Sequence, residues 1–210
     1  MSDNEIKELN QAQPGPNPEE TELITNVFNL IQGILKEQFP EHTVAGQVGQ
    51  HQQHGPMLAF TLEEDEKTYT CGFFLAELVH QFQSKPHAPM WLSSFFVDLL
   101  DSPESKPLPN PPQTEDDAKE IFDKYIIPHC AQSVREEFDP EPVLVDLGLN
   151  QDHGPVLEAS FVSIIDGNNT CAIPLHYLLT LHLMNRDPAD PIIQALYQIK
   201  DSHAAEAATE

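Results

Sequence analysis

The chain repeats itself, and no other feature of the sequence constrains its fold so strongly. Laid on itself at an offset of 99 residues, the stretch 39–58 meets 138–157. Phe39, Val44, Gly49, Gln52, His54, Gly55, Pro56 and Leu58 each fall on an identical residue. One residue is gained in the second copy, where Asp166-Gly167-Asn168-Asn169 replaces the run around Glu64-Asp65-Glu66-Lys67. At an offset of 100 the match resumes: Thr70-Cys71, Leu75, Leu78 and Asp101-Ser102 meet Thr170-Cys171, Leu175, Leu178 and Asp201-Ser202. Ordered identities with a single insertion, placed in a turn, point to tandem duplication.

Each copy reads as helix, three strands, two helices. In the first, Asn17-Pro18-Glu19-Glu20 supplies a cap, a proline at the first helical position and early acids. Leu23, Ile24, Val27, Phe28, Ile31, Ile34 and Leu35 then follow at helical spacing. In the second, Thr114-Glu115-Asp116-Asp117 is the start. The stripe is Ile121, Phe122, Tyr125, Ile126, Cys130, Val134 and Phe138, with Pro128 inside it as an expected kink or break. Strands are expected near 43–49, 56–63 and 67–72, and near 143–149, 155–165 and 169–173. In the fourth of these Val143, Val145, Leu147 and Leu149 alternate. Asp166-Gly167 is a hairpin signal, whereas its counterpart in the first copy is only a charged run. Helices follow over about 73–83 and 174–184, then from Pro89 and Pro191.

The fold class predicted is α+β: a duplicated α-β-β-β-α-α module, each copy with a small antiparallel sheet packed by helices. The repeats occupy 16–102 and 114–202. The stretch 103–113, with five prolines, reads as a stiff linker, and 1–15 and 203–210 read as disordered tails.

Charge narrows the function classes. The chain carries 34 Asp and Glu against 10 Lys and Arg, a net charge of -24. Such a chain repels phosphate backbones and anionic lipid, so neither nucleic acid nor a membrane surface is an expected direct partner. No run of ~18–20 apolar residues is present to span a bilayer, and Met1–Glu5 carry no basic or apolar leader signature. The expected location is cytoplasmic, and the expected partner is another protein with basic or mixed surface. A sharper alternative is imitation of nucleic acid to occupy a basic protein. That reading wants a dense acidic stripe, yet more than half of the acids fall in 1–22, 98–120 and 187–210.

Four residues are candidates for a binding site: His54 and His153, which precede Gly-Pro at equivalent turns, and Cys71 and Cys171 on the third strand of each copy. Glycine and proline shape such a turn and a histidine can cap it, or the imidazoles can titrate or bind a ligand. His51 and His54 have a metal-compatible spacing, but Asn150 replaces His51 in the second copy and no further ligand pattern is near. The cysteines are either buried hydrophobes or, given an imidazole within reach, nucleophiles. Cys130 aligns with Ile31 and His182 with Phe82, which places both in the core. Three cysteines without CxxC spacing make neither a disulfide framework nor a zinc knuckle. Phosphate-loop, nucleophile-elbow, HExxH and dinucleotide motifs are absent, so no cofactor or metal is expected. The leading reading is a non-catalytic acidic adaptor, inhibitor or chaperone-like protein. An enzyme or small-ligand binder using the His-Gly-Pro turns with a nearby cysteine is the alternative from another class.

Overall fold

The computed structural model describes residues 18–51, 54–164 and 169–207. The expectations for 1–15, Asn17 and the Asp166-Gly167 turn fall outside these. The fold is α+β with two small antiparallel sheets, each of three strands in sequential order. The chain divides into two compact units: one holds the chain up to Tyr69 together with Phe73–Ser105, the other Thr70–Gly72 together with Lys106–Glu210.

In the first unit α1 (Pro18–Gln38) precedes β1 (Thr43–His51), β2 (Gly55–Glu64) and β3 (Lys67–Phe74), whose middle residues Thr70–Gly72 group with the second unit. Helices α2 (Leu75–Ser84) and α3 (Ala88–Leu100) follow. The amphipathic face of α1 buries Ile31 and Leu35 against Leu58, Phe60 and Leu62 of β2 and Phe96 of α3, all with no exposed surface. Each such side chain contributes about 1.5–3 kcal/mol by leaving water. Gly46 on β1 lets α1 approach: a Cβ there would meet the Phe28 ring at 2.7 Å, and that ring packs 5.2 Å from Phe60. The charged run between β2 and β3 makes a two-residue hairpin because Asp65 takes φ 52, a left-handed conformation aspartate tolerates.

In the second unit α4 (Glu115–Ile121) starts with the expected cap. Thr114 Oγ1 accepts from the Asp117 amide at 3.1 Å, and the Asp117 carboxylate accepts from the Thr114 amide at 3.0 Å. The interruption expected at Pro128 takes the form of a π-helical turn (Phe122–Ile126), after which α5 (Ile127–Phe138) begins with the proline in its first turn. Proline has no N–H and crowds the carbonyl four residues back, and the wider turn absorbs both effects. Strands β4 (Val143–Asn150), β5 (Gly154–Phe161) and β6 (Thr170–Pro174) follow, then α6 (Leu175–Leu183) and α7 (Asp190–Ala207). The last helix runs past residue 202 into the expected tail, through Ala204, Ala205 and Ala207, whose helix propensity is the highest available. The core gathers Ile126, Cys130, Val134, Leu157, Phe161, Leu178, Ile192 and Leu196. Among the described residues no helix is long and apolar enough to cross a membrane.

Candidate functional site

The two His-Gly-Pro segments occupy equivalent hairpin turns. β1 pairs with β2 up to His51 opposite Gly55, and β4 with β5 up to Asn150 opposite Gly154, so three residues lie in each loop. The glycines have φ 76 and 71, the left-handed conformation that closes a three-residue hairpin. The side chain ending the first strand then fixes each turn. His51 Nδ1 accepts from the His54 amide at 3.2 Å, and Asn150 Oδ1 accepts from the Asp152 and His153 amides at 2.9 and 3.1 Å. His51 in one turn and Asn150 in the other therefore place an acceptor at the same position.

The histidines themselves differ between the turns. His54 is half-buried, its ring 4.9 Å from that of His51 and 4.8 Å from that of Phe74, a three-ring cluster at the turn. His153 is exposed. Among the described residues, no group of three or more His, Cys, Asp or Glu side chains stands close enough to hold a metal ion.

The thiols lie elsewhere. Cys71 is fully buried on β3. Side chains alternate across a strand, so Cys71 shares a face with Tyr69 and Phe73, while Phe74, which meets His54, belongs to the other face. Cys171 is half-buried and pairs with Ala159, five residues along β5 from Gly154, so about 17 Å of strand separates it from the His153 turn. It opens instead on a groove of about 330 Å³ lined also by Thr170, Gln198, Ser202 and His203. Burial raises its pKa above the ordinary thiol value. Cys130 is core, as its alignment implies, with burial first and Asp187 second pushing its pKa up to about 12. His182 is less buried than its alignment with Phe82 suggests. It is half-buried, stacked on Tyr125 with 6.3 Å between ring centroids, and its pKa is lowered by burial and by His129.

The surface that sequence reasoning missed is the outer strand of the second sheet. Val143, Val145, Leu147 and Leu149 alternate along the sequence and share one face of β4. Val143 is buried and Val145 packs against the core, but Leu147 is 59% and Leu149 80% exposed. The sheet extends beyond the helices that cover it. On the opposite face Leu144 is 59% exposed beside Asp146. One signal was present in the sequence: the first copy carries Gln50 where the second has Leu149, so the position does not require an apolar residue.

Neither a known protein-family model nor a curated protein matches the chain.

Proposed function

We propose that this chain is a non-catalytic, acidic protein-binding protein, an adaptor, inhibitor or chaperone-like module built from a duplicated α-β-β-β-α-α unit. The observation that carries the reading is apolar surface left open on a strongly charged body: Leu144, Leu147 and Leu149 on one outer strand of a chain with net charge -24. An outer strand presents unpaired N–H and C=O groups, and apolar side chains beside them suit contact with another chain. The candidate chemistry weighs on the same side. The half-buried thiol Cys171 has its pKa raised by burial, and the His153 turn is remote from it along the sheet.

Cross-linked affinity capture from the native cell tests this reading. The full chain, compared with an unrelated protein of similar negative charge, is expected to enrich a basic protein in near-stoichiometric amount. Enrichment no greater than that of the acidic control would overturn it.

A further inference from the structure

We propose that the outer edge of β4, unpaired among the described residues, takes an extended, basic segment of another protein as an added strand. Alternate apolar side chains of that segment lie against Leu147 and Leu149, and its basic side chains lie over Asp146 and Glu158. This inference rests on the protein-binding reading and names the surface and the chemistry of the partner.

The strand order leaves β4 outermost, so its alternate N–H and C=O groups face away from β5. Proteins ordinarily guard such an edge with lysine, proline or a bulge. Residues 143–150 carry no lysine, no proline and one charge, Asp146. Leu147 and Leu149 continue the core face of the strand past the last residue that joins the core. A strand laid alongside would cover them and extend that core.

The other face carries the acidic half of the argument. Asp146 and Glu158 are register partners, and like charges directly opposite each other destabilise a sheet. The Glu158 carboxylate lies against the outer strand at Gly148, in the space a Cβ there would take. A cation from an added strand would relieve the repulsion. The first copy serves as an internal control, since it holds Gln47 and Ala59 in place of this acidic pair and Gln50 in place of Leu149. Its sheet forms with the same register, so the module's folding does not require them. A second copy of the chain is the wrong occupant, because pairing β4 with itself brings two such acidic pairs and two bodies of charge -24 together.

The probe is a labelled synthetic peptide of alternating valine and lysine, titrated into the full chain and followed by fluorescence anisotropy and amide hydrogen exchange. Binding is expected to protect amides within 144–149. Leu147→Ser with Leu149→Ser is expected to weaken binding by about tenfold, as loss of exposed apolar contacts at an interface does. Asp146→Asn with Glu158→Gln is expected to weaken it about fivefold and to flatten its salt dependence. Val48→Ser on β1 should leave it unchanged. A valine–glutamate peptide should not bind, and N-methylation of alternate lysines in the first peptide should abolish strand pairing. Equal affinity for the N-methylated peptide would overturn the proposal in favour of diffuse charge attraction. So would a dimer of the chain alone that dissolves in the Leu147→Ser/Leu149→Ser variant, because a second copy would then hold the edge. Cellular capture separates the two levels: equal capture by wild type and this variant overturns the β4 assignment and leaves the protein-binding reading standing, whereas no capture by either sinks both.

Discussion

At the position that closes the first hairpin of each sheet, what matters is a lone pair three residues before a backbone amide. His51 supplies it through Nδ1 and Asn150 through Oδ1. Replacing Asn150 by alanine is expected to cost about 0.5–1.5 kcal/mol, the usual net worth of such a bond, and Asn150→His to cost much less. Urea denaturation measures both, and equal losses would show that the acceptor is not what the site requires. His182 gives a pH-dependent counterpart. Its pKa lies below the ordinary 6.5 because burial disfavours the charged ring and His129 adds to this. The unfolded chain therefore binds the proton first as pH falls from about 6.5, so stability drops over that acid window and is retained above it. His182→Phe, the residue at the matching place in the first copy, is expected to remove that part of the acid-side slope of melting temperature, leaving the neutral-pH value nearly unchanged. The ring is half-exposed, so the effect is modest.

Elements show how the two units pack a helix beside a three-stranded sheet with different volumes. Gly46 faces Phe28 in the first unit, and the aligned residues in the second are Val145 and Ile127, both packed on its core. Gly46→Val alone is expected to cost about 1–3 kcal/mol through overpacking against the Phe28 ring. Adding Phe28→Ile should recover much of this, a coupling of about 1–2 kcal/mol in a double-mutant cycle. Strict additivity would mean that the two sites do not share the space. Much at this scale was legible in the chain: helix stripes, strand alternation and the turn glycines each follow from local spacing. What was not legible depends on distance in space. Alternation marks Leu147 as it marks Val143, but how far the helical layer reaches along β4 is set by α5 and the other helices, not by the strand. Likewise Pro128 signals an interruption, and the form it takes, a π-helical turn, is not written in the spacing of the apolar stripe. The left-handed Asp65 shows that a run of charges can hide a tight turn.

For the whole molecule, charge governs encounter with a partner. Raising ionic strength from about 0.05 to 0.5 M shortens the screening length from ~14 to ~4 Å, so the association rate with a basic partner is expected to fall steeply while dissociation changes less. Stopped-flow mixing across that range checks it, and a flat response would assign the charge to solubility alone. Its other effect is colloidal. The outer strand β1 has no Asp, Glu, Lys or Arg and β4 has only Asp146, so the sheets themselves offer little resistance to stacking edge to edge. Long-range repulsion among 34 acids is then what keeps copies apart, and that repulsion vanishes near the isoelectric point of about 4.5. Bare edges that are harmless in neutral solution would become nuclei of ordered cross-β aggregation in mild acid, detectable by thioflavin fluorescence and slowed by a single lysine placed on β4.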